Sequence, residues 1–175
     1  MPMPIPFGLT TVDQVAVVVR DLDAAMTGYL AQGVGPWDVY TYGPHRMPRM
    51  TYRGEERGYV MKLALAYVGP TMWELIESVE GPNIYEEHLD AHGEGLHHIG
   101  YSVPDIEVEI QRMKEQGFAL LQSGHGFGLD GDGAYAYFDT AASLGCIIEA
   151  IQFPRKMPPP ERVTRRWPLK FGVIA

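Results

Sequence analysis

The chain has 175 residues, 46% of them hydrophobic and 21% charged, with a formal net charge of −8. This composition suits a packed core in one domain or two small modules and excludes a disordered chain. The acidic balance argues against nucleic-acid binding, and no apolar run is long enough to span a membrane.

The opening MPMPIPFGLT lacks a charged region followed by an apolar one, so no signal peptide is expected. The lone Cys146 cannot form an internal disulfide. Both points lead us to expect a cytoplasmic protein.

The first predicted elements lie in VDQVAVVVRDLDAAMTGYLAQGVG. A β-rich alternating run comes first, then Asp21 as a helix N-cap. Leu22, Ala25, Met26 and Tyr29 follow at helical spacing, and Gly33 is expected to end the helix in a left-handed conformation. Three strand-like pieces come next: WDVYTY, GYVMKLALAYVG and MWELIES. The connector GPNIYEEHLDAHGEG predicts a short helix, with His88 and His92 on its solvated face.

The script then repeats. LHHIGYSVPDIEVEIQRMKEQGFA opens with an alternating run, and Asp105 takes the capping position. Ile106, Ile110 and Met113 continue the helix, and Gly117 stops it. The strand-like pieces FALLQSG, AYAYFDT and CIIEAIQF follow, split by a glycine-rich loop that contains His125. Two β-α-β-β-β units imply an α+β fold. We place the first module at 10–80, a linker helix at 81–94, the second module at 95–154 and a Pro/Arg-rich tail at 155–175.

Strand side chains alternate faces. His98, Gly100 and Ser102 therefore share one face, and His97, Ile99, Tyr101 and Val103 share the other, which is expected to meet the helices. In the first copy Gln14 aligns with His98. The last strand of each half carries a carboxylate within an apolar run, Glu74 and Glu149. Burying a lone carboxylate is costly unless it is paired or holds a metal. If the halves pack with pseudo-two-fold symmetry, Gln14, Glu74, His98 and Glu149 meet at one centre. One amide, two carboxylates and one imidazole suit a single divalent ion such as Co, Ni, Mn, Mg or Zn.

The repeated unit, HGEGLHHIGYSV and the closing YFDT with GCIIEAIQFP together resemble the vicinal oxygen chelate superfamily over roughly residues 10 to 154. The nearest likeness is to its methylmalonyl-CoA epimerase-like and glyoxalase I-like branch. The resemblance implies a glyoxalase/bleomycin resistance fold, with a curved eight-stranded mixed sheet around a metal-binding cleft. It places metal ligands at Gln14, Glu74, His98 and Glu149. The epimerases usually carry histidine at the position of Gln14, whereas glyoxalase I has this glutamine–glutamate–histidine–glutamate order.

The activity implied is removal of a proton beside a carbonyl, by an epimerase or a lyase, with Glu149 as the base. Glu55 or Glu56 is the expected second acid-base group. The expected substrate is an acyl-CoA or another carbonyl compound, and Arg46, Arg49, Arg53 and Arg57 are basic residues suited to CoA binding. A non-catalytic, resistance-type binding protein is the alternative from another class. Family members often dimerise, so a homodimer is expected.

Overall fold

Asp21 and Asp105 each accept backbone hydrogen bonds from the first turn of a helix. They start α1 (Leu22–Ala31) and α3 (Ile106–Glu115), and Gly33 and Gly117 end them at φ 87°. The computed structural model describes residues 9–164. The last part of the tail, 165–175, and the first eight residues lie outside them.

The remaining strands of the first half are β1 (Gln14–Val18), β2 (Asp38–Tyr42), β3 (Arg49–Tyr52), β4 (Glu55–Glu56), β5 (Val60–Val68) and β6 (Thr71–Glu80). The connector forms α2 (Ile84–His92). Beyond it come β7 (Gly95–Ser102), β8 (Leu120–Phe127), β9 (Gly133–Phe138), the single turn α4 (Ala141–Leu144), β10 (Ile147–Gln152) and β11 (Arg162–Val163).

All eleven strands join one curled mixed sheet in the order β11-β2-β5-β6-β1-β7-β10-β9-β8-β3-β4. The order is balanced about the antiparallel β1–β7 pair: β6 runs parallel to β1, and β10 runs parallel to β7. The sequence predicts eight strands, and the three more are short pieces that cap the sheet's ends. The β3–β4 hairpin leaves the first half, and its β3 pairs with β8. Strand β11 leaves the second half and pairs with β2. Such short strands carry too few residues to show a period of their own.

Alternation sorts the side chains onto two faces. Helix α1 covers a cluster with Val17, Leu75 and Trp37, and α3 covers one with Tyr101, Phe138 and Ala150. The other face holds a third cluster, rich in tyrosine and methionine, against which α2 packs. Among the described residues no helix is long and apolar enough to cross a membrane.

Strands β8 and β9 illustrate how tightly this third cluster fits. A Cβ added at Gly124 would lie 2.6 Å from the ring of Tyr135, whose hydroxyl is held by Tyr59 at 2.5 Å. Gly124→Ala is expected to cost about 1–3 kcal/mol through overpacking. Urea denaturation checks this: the midpoint should fall at constant slope, and an unchanged midpoint would contradict the packing described.

Candidate metal centre

The period of two holds along β1, β6 and β10, and it turns Gln14, Glu74 and Glu149 to the cleft face while Val17, Leu75 and Ala150 turn to the helices. His98 arrives from β7, where Ala16 and Ile147 flank it as register partners. The site thus straddles the β1–β7 pair and draws two residues from each half.

Its geometry is close. His98 Nε2 lies 3.0 Å from Glu149 Oε2 and 3.5 Å from Glu74 Oε2. The Gln14 amide donates to Glu74. All four residues are buried, at 2–5% exposure. One ligand atom from each of Glu74, His98 and Glu149 falls within 4.8 Å of the others, so the three could hold a metal ion.

Two observations fit this centre to a cation. First, His98 Nε2 and Glu149 Oε2 are buried without a hydrogen bond of proper geometry, although they face one another. Buried polar atoms are normally satisfied, and atoms aimed at a common point without bonding are what a cation's ligands look like. Second, Gly100 leaves the space open. A Cβ there would lie 3.1 Å from Gln14 Cβ and 3.2 Å from Glu149 Oε2.

The electrostatics agree. Burial disfavours charge on His98, but Glu149 and then Glu74 outweigh it and push its pKa up to about 9. Burial raises the Glu74 carboxyl, against the pull of His98. A proton on His98 therefore offsets part of the negative charge that a cation would offset fully.

Histidine 97 departs from the expectation that it shares the face of Ile99 and Tyr101, which packs on α3, and lies on the α2 side instead. Strand β7 bulges there: Ala16 pairs with His98 and Val17 with Leu96, leaving His97 between them. A bulge breaks alternation and re-aims a side chain. His97 is buried with its Nδ1 2.8 Å from His98 Nδ1, and its ring meets Tyr85, His88 and Tyr137. Burial holds its pKa well below the usual imidazole range, so it is neutral. A neutral His97 that accepts the His98 Nδ1 proton orients the His98 ring, so that Nε2 faces Glu149 and carries the second proton until a cation displaces it.

Other expected positions also shift. Glu55 and Glu56 sit exposed on β4 and are not among the residues that line the cleft. The hairpin that carries them is drawn across to β8. His88 is half-buried against His97 rather than on a solvated face. His125 is a buried residue of β8, because the strand continues into the glycine-rich run. Of the aromatics, Tyr40 and Tyr42 face the cleft, whereas Trp37 and Trp73 pack on the α1 side.

The cleft has a volume of about 510 Å³. Tyr42, Phe127, Tyr135 and Tyr137 form aromatic walls beside Glu74 and Glu149. The Tyr42 hydroxyl is buried without a hydrogen-bond partner, and burial pushes its pKa up to about 12. Spacing on β2 could place Tyr42 on the cleft face, but its missing partner is visible only in three dimensions.

Comparison with known proteins places this geometry. No curated protein matches the chain. Solved structures of the same fold include a hypothetical protein from Bacillus halodurans C-125, at 19% identity and TM-score 0.62, covering 85% of this chain and 97% of that one. A methylmalonyl-CoA epimerase from Mycobacterium tuberculosis is 19% identical at TM-score 0.60, with 83% and 92% covered. A variant methylmalonyl-CoA epimerase from Streptomyces coelicolor, in complex with 2-nitronate-propionyl-CoA, is 17% identical at TM-score 0.63, with 87% and 100% covered. The family pattern matches residues 13–138, so the chain belongs to the Glyoxalase/Bleomycin resistance protein/Dioxygenase superfamily.

Proposed function

We propose that the protein is a metal-dependent isomerase or lyase that moves the proton beside a substrate carbonyl. The observation that carries this is the convergence of Glu74, His98 and Glu149 beside an apolar cleft, with His98 Nε2 and Glu149 Oε2 buried without a hydrogen bond of proper geometry. The proposal treats the sheet as two βαβββ modules that meet at this centre, and it includes a homodimer in the cytoplasm.

Gln14, Glu74, His98 and Glu149 would hold a divalent cation, which would supply the Lewis acidity that makes a hydrogen beside a carbonyl removable. Glu149 would leave the cation to take that proton. Glu149 is one of the residues that line the cleft, which places its carboxylate beside a ligand there. Return of the proton to the opposite face gives an epimer, and return to the adjacent carbon gives an isomer. Glu74 remains fixed by the Gln14 amide, and His98 is oriented by His97.

The fold likeness to methylmalonyl-CoA epimerases supports epimerisation. A second reading, a glyoxalase I-like lyase acting on a hemithioacetal, is favoured by Gln14 at the first ligand position. A purely binding role is disfavoured because all four donors are retained.

Elemental analysis together with solvent deuterium incorporation tests the proposal. His98→Ala should abolish stoichiometric metal content. Glu149→Gln should lower the exchange rate about 10²–10⁴-fold. If neither substitution changes metal content, the centre is misassigned.

Glu55→Gln and Glu56→Gln should stay within about twofold of the parent rate, since exposed groups outside the cleft cannot share in general acid-base transfer without hydrogen-bond reach. A large loss in either would restore one of them as the second acid-base group.

Metal affinity should also depend on pH. With its pKa raised to about 9, His98 is protonated at neutral pH in the metal-free protein. Its contribution to metal-free stability is complete below the ordinary imidazole pKa and fades as pH rises through about 9. A cation must displace that proton, so affinity should rise about tenfold per pH unit between about pH 7 and 8.5. Cobalt titration against a competing chelator measures it, and a flat profile would contradict the protonated state.

A further inference from the structure

Charge is distributed unevenly around the cleft. Among the described residues, the charged side chains lining it are all acidic: Asp38, Glu74 and Glu149. The arginines that the sequence offers for a thioester's phosphates stand elsewhere. Arg46 is paired with Glu161 at 3.0 Å and is not among the lining residues, although its guanidinium stands 5.9 Å from the Tyr42 ring centre with Nη1 buried and unpartnered. Arg53 is bound to Glu87. Arg49 and Arg57 are exposed near the β3–β4 hairpin and are not among the lining residues.

The centre itself does not make up the deficit. Two carboxylates match the charge of a divalent cation, so the loaded site carries no net positive charge to attract an acid. A carboxylate or phosphate placed against the cleft walls would lose its water and meet Asp38 without a cationic partner among the described lining side chains, which is costly.

The walls favour another kind of ligand. Met61, Leu63, Leu65 and Ile151 provide aliphatic surface, and Phe127 and Tyr135 provide ring faces. Tyr59 pairs its hydroxyl with Tyr135 at 2.5 Å, and Tyr85 pairs with Tyr137 at 3.0 Å. The Tyr42 hydroxyl has no such partner, although the residue is only 4% exposed and lines the same cleft as Glu74 and Glu149. It is a donor held dry for an acceptor that arrives with the ligand.

We infer that the cleft takes a compact, uncharged carbonyl compound with an aromatic or branched aliphatic body, whose oxygen accepts a hydrogen bond from Tyr42, and that it discriminates against nucleotide thioesters and against ligands with an acid at the far end. This rests on the function proposed above and narrows its substrate class.

The test uses the metal-loaded protein, a matched pair of probes and calorimetry. The probes are 1-(4-methylphenyl)butane-1,3-dione and 1-(4-carboxyphenyl)butane-1,3-dione, which differ only in the distal group, with methylmalonyl-CoA as a third. The methyl probe should bind at least about tenfold more tightly than either acid-bearing one. Tyr42→Phe should weaken the methyl probe about tenfold, the scale of one hydrogen bond left unmade, while thermal unfolding shows that the variant is folded.

Equal or tighter binding of the carboxylate probe or of methylmalonyl-CoA overturns the inference, as does unchanged affinity in a folded Tyr42→Phe protein. The two proposals fail separately. Proton exchange on methylmalonyl-CoA by a metal-loaded protein would leave the reaction standing and remove this substrate class. A protein that holds no metal yet prefers the methyl probe would do the reverse.

Discussion

Two buried carboxylates facing one imidazole across the β1–β7 pair are the constraint on which the site depends. Glu74 and Glu149 are 4–5% exposed and share His98 as their near neighbour. Taking two anions out of water is unfavourable by several kcal/mol each unless positive charge accompanies them. Much around the centre follows from that need. Gln14 donates to Glu74, Gly100 keeps side-chain atoms out of the gap, and His97 leaves its turn of the alternation to hold His98. Apolar and aromatic walls then flank the two carboxylates.

The same constraint links fold to chemistry. Parallel pairing of β1 with β6 and of β7 with β10 brings the final strand of each half beside its first. The antiparallel β1–β7 pair joins the halves. Any residue that faces the cleft near the middle of those four strands is therefore close to the others, whatever its distance in sequence. A helix layer on the opposite face stiffens the platform, with α1 and α3 burying apolar clusters of their own.

Much of this is readable from the chain because the relevant signals are local. Asp21 and Asp105 precede helically spaced residues, and both cap. A period of two along MWELIES, CIIEAIQF and the β1 run predicts which side chains share a face, and the four candidate ligands do converge. What is missed is non-local or breaks the period. The bulge at His97 inverts a face assignment, although a doubled histidine within an alternating strand is a visible irregularity. His125 is hidden by glycines that suggest a loop, whereas β8 runs through them because β3 and β9 supply partners on both sides. Glu55, Glu56 and the nearby arginines look like site residues in sequence, but their hairpin pairs with a strand about 70 positions away, and only that pairing reveals where they point.

The exchanged rims have a mechanical meaning. One end of the sheet is finished by a hairpin lent from the first half, pinned by the Thr51–Ser123 hydroxyl contact at 2.7 Å. The other is finished by a strap from the second half, whose Glu161 accepts from the Thr41 backbone and hydroxyl. Each half is thus laced to the other along its outer border as well as at the central seam. Spreading them like a book would tear ladders at both margins at once. The chamber is in this sense a fixed-bore vessel: a guest passes through its mouth, past Tyr67, Phe153 and Met157, and fits the width it finds there.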